Sequence, residues 1–240
     1  MTTFGSRFAT LRGSFMIAGI ATLATLLGAC SSHAGSDAAV DGNALPSSAQ
    51  RLRFNEKGEA ARPVGYRSWV HAYSAWESIA VTILDGTVTK TPEFHNVYVE
   101  PETYRLFMKT GKWPEGSLMV KEFSSVNTDP EQCEGPPGFL CPFGTSKVIL
   151  QQERMGIGVM LKDSKRFPNE PGGWAYFSFG HKTPPYEPFS PPRPRTQCAQ
   201  CHIDEVGPKD DYVWSVKLNQ PGFRREVGDI ADNLSGAFPN

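Results

Sequence analysis

The middle of the chain carries its clearest secondary-structure pattern. Residues 94–99 are rich in aromatic and β-branched side chains, which is typical of a strand. Residues 101–110 open with Pro and Glu and end before a glycine, and Tyr104, Phe107 and Met108 recur at helical spacing. This stretch predicts a short amphipathic helix that directly follows the strand.

Most of the remaining pattern is that of short strands. Four further segments are strand candidates, and a fifth, which alternates weakly, is a possible last strand: residues 117–123, 147–152, 156–161, 174–179 and 212–218. The proline-dense run 184–194 cannot lie inside a sheet, because proline lacks a backbone donor, so we expect a loop there. The sequence therefore predicts an α+β domain that is β-rich, with an antiparallel sheet and a few short helices.

The first thirty residues have the features of a secretory leader. Arg7 and Arg12 precede an apolar stretch, residues 15–27, that is too short to span a membrane. Small residues then lead into Cys30, as in a lipoprotein cleavage site, although an ordinary signal peptide followed by an incidental cysteine is the alternative. Acyl chains on Cys30 would hold the mature protein at a bacterial membrane, on the periplasmic side. Ser31 after the cysteine favours the outer membrane.

Composition divides the chain into four parts. Residues 1–29 are the predicted lipoprotein signal peptide, and residues 30–50, rich in Ser, Ala and Gly, predict a flexible tether. Residues 51–218 are long enough for one domain with a proper core, and residues 219–240 predict a weakly ordered tail. The net charge of −1 argues against nucleic acid as a partner.

A Cys-x-x-Cys-His run near the C-terminus carries the strongest chemical signal. Cys198 and Cys201 have the spacing that forms two thioethers to one haem, and His202 follows in position to ligate the iron. The alternatives are half a zinc site, a redox dithiol or chance. A zinc site lacks a second ligand pair at similar spacing, and the region lacks the βαβ pattern of a thioredoxin-like dithiol. The sequence predicts one c-type haem per chain, attached near the C-terminus.

Two further cysteines, Cys133 and Cys141, flank a loop rich in Gly and Pro. In the oxidising compartment that haem attachment requires, this spacing predicts a local disulfide. Two free thiols are the alternative.

The sequence also bears on the second axial position of the iron. Only 38 residues follow His202, and none of them is Met or His. Methionines and histidines upstream remain possible ligands, but no pattern marks any of them. We therefore expect a five-coordinate iron with an open face, which suits the binding or conversion of a small molecule.

Several segments together resemble the cytochrome P460 family. The likeness covers roughly residues 54–218 and rests on the following segments, in order: 94–102, 110–116, 120–122, 162–167, 172–174, 198–202 and 211–213. The resemblance implies a periplasmic mono-haem protein with a mostly β fold, often a homodimer. The best-known members oxidise hydroxylamine, whereas the related cytochromes c′-β bind nitric oxide.

The resemblance singles out Lys121, because hydroxylamine-oxidising members join a lysine at this position covalently to a ring carbon of the haem. Strand alternation puts Lys121 on one face with Met119 and Phe123. Apolar neighbours would desolvate the amine and lower its pKa. The alternative is that Lys121 lies on the solvated face of a half-buried strand.

The resemblance also implies a carboxylate on the open side of the iron that accepts protons from the substrate. Glu187 is the only acid in the loop before the haem motif, and it is therefore a candidate for the distal pocket. His95, on the strand at residues 94–99, is a second candidate, although a buried structural histidine is the alternative. We interpret His71 and His181 as structural.

These inferences lead to one main hypothesis and two alternatives. The main hypothesis is a mono-haem oxidoreductase that converts hydroxylamine to nitrogen oxides and passes electrons to a soluble cytochrome. The alternatives are a nitric oxide-binding or scavenging protein similar to cytochrome c′-β, and an electron-transfer cytochrome.

Overall fold

The computed structural model describes residues 44–77, 92–135 and 139–217. The predicted signal peptide, Cys30 and the tail at residues 219–240 lie outside the described residues. Within the described part of the chain, none of the helices has the length and apolar character needed to cross a membrane.

The described elements are nine strands, three short α-helices and three single-turn 3-10 helices. The strands are β1 (Ala60–Ala61), β2 (Val70–Glu77), β3 (Glu93–Val99), β4 (Leu118–Val126), β5 (Cys141–Phe143), β6 (Ser146–Val148), β7 (Gln151–Lys162), β8 (Trp174–Ser178) and β9 (Phe189–Ser190). The α-helices are α1 (Pro101–Thr110), α2 (Ala199–Glu205) and α3 (Trp214–Lys217). The predicted fold class, a β-rich domain with an antiparallel sheet and a few short helices, is confirmed.

Five strands form one antiparallel sheet in the order β2-β3-β4-β7-β8. The register places Val97 of β3 and Gly158 of β7 on either side of Lys121 in β4. Two rows along, His95 of β3 pairs with Phe123 of β4. Because side chains alternate between the two faces of a sheet, every second row shares a face, so these two rows lie on the same face.

Each face of the sheet packs against its own hydrophobic cluster. On one face, Tyr66 and Trp69 pack with residues of the central strands such as Val120 and Ile157. On the other face, the cluster combines sheet residues with residues of α1 and of the C-terminal segment: Val97, Met119 and Trp174 with Phe107, Trp113, Ala199 and Val213. The second face therefore holds the haem motif against the sheet.

Helix α1 forms as its sequence predicts. The carboxylate of Glu100 accepts a hydrogen bond from the Thr103 backbone N–H at 2.8 Å and caps the first turn, and Pro101 occupies the first helical position. Gly111 ends the helix with φ 71°, in the left-handed region that favours glycine. Phe107 then stacks on Trp113 at 3.8 Å between ring centroids, which fastens the helix to the sheet.

The strand predictions are largely confirmed, with two corrections. The segment predicted at residues 147–152 is divided between β6 and β7. The prediction of a last strand at residues 212–218 is wrong over the residues described: Asp211 and Tyr212 have φ of 48° and 61°, and α3 follows. A strand cannot pass through left-handed backbone, and the weak alternation of this segment reflects a turn and a short helix instead.

Part of the predicted tether belongs to the packed domain. Ala49 is buried, and the side-chain oxygen of Gln50 accepts a hydrogen bond from Trp69 Nε1 at 3.1 Å. The Gln50 backbone N–H donates to Glu100 at 3.1 Å. The domain therefore begins before Arg51, the residue at which composition alone placed its start.

The hairpin formed by β5 and β6 lies beside the main sheet, and a disulfide joins Cys141, at its first residue, to Cys133. Phe143 at the end of β5 is 66% exposed. The bond therefore fastens a solvent-exposed hairpin to the loop that precedes it.

Two glycines with the same backbone angle differ in the space around them, and replacing each with alanine tests how tightly the turn before β8 is packed. Gly173 and Gly65 both have φ of +72°, but a methyl group on Gly173 would meet the Ser164 backbone at 2.9 Å, whereas none of the described atoms lies within 4 Å of one on Gly65. We expect Gly173→Ala to lower the free energy of unfolding by at least about 2 kcal/mol. Gly65→Ala should cost only about 1 kcal/mol, the cost of a left-handed alanine. Equal losses in urea unfolding would contradict this explanation.

Candidate functional site

A cavity of about 410 Å³ lies between the sheet and the C-terminal segment. This volume is within the range of small-molecule and cofactor sites. Its lining comes from β2, β3, β4, β7, β8, α2 and α3, and includes Glu77, His95, Met119, Lys121, Phe123, Tyr176, Cys198, Cys201, His202, Val213 and Trp214. The tertiary structure thus brings the Cys-x-x-Cys-His run to the same space as Lys121 and His95.

Helix α2 positions the motif. Cys198 is the residue before the helix, and Cys201 and His202 lie in its first turn and a half. Residues three apart on a helix share a face, so both cysteines face the same region, with Cys198 half-buried and Cys201 exposed. Buried Ala199 anchors this turn in the cluster on the cavity face of the sheet.

His202 is held in one orientation by a backbone carbonyl. Its Nδ1–H donates to the Tyr212 oxygen at 2.7 Å, which leaves Nε2 as the nitrogen able to bind a metal. Its ring also contacts Tyr176, at 4.8 Å between centroids. Burial lowers the pKa of His202 to about 4, so the imidazole is neutral at pH 7 and keeps the lone pair that a ligand needs.

The thiol of Cys198 is unsuited to redox catalysis by itself. Burial raises its pKa to about 11, whereas the nucleophilic cysteine of a catalytic dithiol has a lowered pKa. Among the described residues, no group of three or more His, Cys, Asp or Glu side chains is arranged to hold a metal ion. The raised pKa weighs against the dithiol alternative.

Lys121 faces the cavity, on the same face as Met119 and Phe123, as strand alternation predicts. Its Nζ lies 5.1 Å from the centre of the Phe123 ring. Burial lowers the pKa of Lys121, although the nearby charges of Glu77 and Glu93 oppose this effect. The amine is thus more readily deprotonated, and more nucleophilic, than a lysine in water.

His95 lies between two carboxylates. Its Nδ1 is 2.8 Å from Glu77 Oε1, and its Nε2 is 3.4 Å from Glu93 Oε2. On the far side of Glu93, His181 Nε2 lies 2.9 Å from Glu93 Oε1. Together these four residues form a continuous acid–imidazole row, of which Glu77 and His95 line the cavity.

The row keeps its carboxylates ionised. Burial alone would raise the pKa of Glu93, but its interactions with His181 and His95 lower it to about 2. Burial likewise opposes ionisation of Glu77, and the hydrogen bond from His95 lowers its pKa overall. Glu77 is therefore a carboxylate, partly exposed to solvent, in contact with an imidazole.

The arrangement can be compared with known proteins. The family model for cytochrome P460 matches residues 63–215 of the chain. The chain belongs to the cytochrome P460 family. No curated protein matches the chain closely enough to transfer a function.

Membership in the cytochrome P460 family implies a haem cofactor, and the residues of the cavity fit one. His202 offers a neutral, oriented imidazole, and both cysteines lie at the cavity. Just before the motif, Arg193 Nε and Gln197 Oε1 are buried without a hydrogen-bond partner among the described residues. Buried polar atoms of this kind are normally satisfied, so they suit a polar ligand group beside the motif.

The structure does not place Glu187 in the cytochrome P460 cavity, contrary to the sequence-based prediction for this loop. Its carboxylate is exposed and accepts a hydrogen bond from Lys182 at 2.7 Å. His71 lies outside the cavity as well, within 3.0 Å of Ser74 Oγ. The carboxylate that does line the cavity is Glu77.

Sequence reasoning missed Glu77, Glu93 and the role of His181. Glu77 ends a strand that was not predicted, and it pairs across the sheet with Glu93. A signal for Glu93 was present, because Glu93 and His95 are two residues apart in a strand and so share a face. His181 follows β8, and only the course of that loop brings it to Glu93.

The lowered pKa of Glu93 predicts a pH-dependent contribution to stability. Its pKa is lowered in the folded state, so this contribution is complete above about pH 4.5 and is lost as the pH falls towards about 2. We expect Glu93→Gln to reduce the free energy of unfolding at pH 6 by an amount on the order of 3 kcal/mol. In urea unfolding, the difference from the wild type should shrink between pH 5 and pH 3. A difference that is independent of pH would show that Glu93 contributes through packing alone.

Proposed function

We propose that this protein is a c-type cytochrome P460 that oxidises hydroxylamine. One haem per chain would be joined to Cys198 and Cys201 and ligated by His202. The observation that supports this proposal is that one cavity contains both the haem motif and a carboxylate–imidazole pair, Glu77 and His95. A proton acceptor in the wall of the cavity suits this reaction, because hydroxylamine releases protons as it is oxidised.

The reaction requires both proton and electron acceptors. Oxidation of hydroxylamine to nitric oxide releases three protons and three electrons for each molecule. When bound, the haem supplies the one-electron chemistry. The electrons would pass to a soluble one-electron carrier, which we propose is a small cytochrome.

Glu77 and His95 are placed to receive the protons. His95 contacts a carboxylate on either side and would be the first proton acceptor. The side chain of Glu77 is 42% exposed, so a proton passed to it can leave to solvent. These residues take the role that sequence reasoning assigned to Glu187.

Lys121 is the proposed attachment of the haem to the sheet. Joining its nitrogen to a ring carbon removes one hydrogen from each partner, and a peroxide would accept both hydrogens and leave as water. The burial that lowers the pKa of Lys121 supports this role, because the reacting amine must be unprotonated.

A second candidate function is nitric oxide binding. The remaining wall beside Lys121 is mostly apolar and includes Val97, Met119 and Phe123. An apolar pocket of this kind suits a small uncharged gas. In this reading Lys121 forms no covalent bond and hydroxylamine is not turned over.

We also propose the cellular setting that the sequence predicts. A lipid on Cys30 would tether the protein to a bacterial membrane, preferably the outer membrane, with the haem domain in the periplasm. The oxidising periplasm is consistent with the disulfide between Cys133 and Cys141. A homodimer remains a prediction from the family resemblance.

The absorption spectrum of the ferrous protein, produced with a haem-maturation system, tests the Lys121 attachment. We expect a Soret band far to the red of an ordinary c-type haem, and we expect Lys121→Leu and Lys121→Arg both to restore the ordinary position. Lys147→Leu, at a half-exposed lysine on the β5–β6 hairpin, is the control and should keep the red shift. An ordinary spectrum in the wild type would favour the nitric oxide-binding function.

Steady-state oxidation of hydroxylamine tests the proton acceptor. We expect Glu77→Gln to lower kcat about 100-fold, because glutamine keeps the shape of the side chain but cannot accept a proton. Glu187→Gln should leave kcat unchanged, since that carboxylate lies outside the cavity. The opposite result, with activity lost only in Glu187→Gln, would return the role to the loop.

A further inference from the structure

The acid–imidazole row extends further into the protein than the proposed reaction requires. The side chain of Glu93 is 0% exposed, and those of His95 and His181 are 3% and 2% exposed. An ionised carboxylate in such surroundings is costly unless a positive charge compensates it. The two imidazoles in contact with Glu93 are placed to supply that charge.

The contacts of the two imidazoles show which ring nitrogens could bind an additional proton. At 2.8 Å from Glu77, His95 Nδ1 carries a proton and donates it. Its Nε2 faces Glu93 at 3.4 Å and can donate only when the ring is doubly protonated. His181 Nε2 approaches the other oxygen of Glu93 at 2.9 Å. Both rings thus contact Glu93, and a proton added to either ring would lie beside a carboxylate.

We propose that His95, Glu93 and His181 form a proton store that is linked to the redox state of the haem, with Glu77 as its exit to solvent. This proposal rests on the proposed function, in which the haem occupies the adjoining cavity. It assigns Glu93 and His181 as positioning residues that act through His95.

The coupling follows from electrostatics. An electron added in the cavity makes its surroundings more negative, and in a poorly solvated site this favours proton uptake by the nearest titratable groups. One electron then enters from the reductant and one proton enters from solvent, and both leave on reoxidation. Glu77 connects the store to water because its side chain is 42% exposed.

Lys121 also acts on this row. Lys121 projects from β4 and its charge lowers the pKa of Glu77, while Glu77 and Glu93 oppose the burial effect on the lysine. Attachment of Lys121 to the haem would remove much of that positive charge. The store would then respond to an added electron without that neighbouring cation.

Potentiometric titration of the haem-loaded full chain, without hydroxylamine, tests the proposal. We expect the midpoint potential of the wild type to fall as the pH rises from about 5 to about 8, the range in which imidazoles lose protons. Glu93→Gln should lose most of this slope, because a neutral amide no longer favours the additional proton. The matched control is Glu122→Gln, since Glu122 is also buried but pairs with Arg67 on the opposite face of the sheet. That variant should keep the wild-type slope.

A wild type without a slope, or Glu93→Gln with the full slope, would overturn the proposal. Where Glu93→Gln fails to take up haem, His181→Gln replaces it. That variant removes one of the two imidazoles, so its slope should also decrease, and an unchanged slope would count against the store. Hydroxylamine turnover is measured separately, so a protein with the expected slope but no turnover would refute the enzymatic function and leave the store intact.

Discussion

The hydrogen bond from His202 to the Tyr212 carbonyl is the constraint around which the candidate site is built. It fixes the imidazole so that Nε2 remains available, and burial of the ring keeps it neutral. The carbonyl reaches the ring because Asp211 and Tyr212 adopt left-handed backbone. That turn also directs α3 back to the wall of the cavity. One local bend therefore both orients His202 and closes this side of the cavity.

Strand β4 separates two kinds of buried charge. Glu122 points to one face, where Tyr66 and Arg67 satisfy its carboxylate, as in a structural ion pair. Lys121 points to the other face, where burial lowers its pKa and no compact ion pair holds it among the described residues. Neighbouring residues of one strand thus have different roles, because the alternation of a strand sends them to different surroundings.

The wall opposite the haem motif differs from an ordinary apolar pocket in its row of acids and imidazoles. A buried carboxylate such as Glu93 reduces stability unless it is paired, and its partners His95 and His181 come from distant parts of the chain. Keeping such a row beside the cavity therefore costs stability, because each buried charge needs a partner. The proposed proton transfer at the cavity would explain this arrangement.

The sequence by itself determined the local features. The spacing of Cys198, Cys201 and His202, the helix at α1 and the alternation around Lys121 depend only on neighbouring residues, so their patterns could be recognised directly. Only the tertiary structure determined which acidic side chain lines the cavity. Glu77 lies there and Glu187 does not, because strand register and the course of a proline-rich loop set these positions. Local sequence does not encode such long-range pairing, and only packing of the whole sheet fixes it.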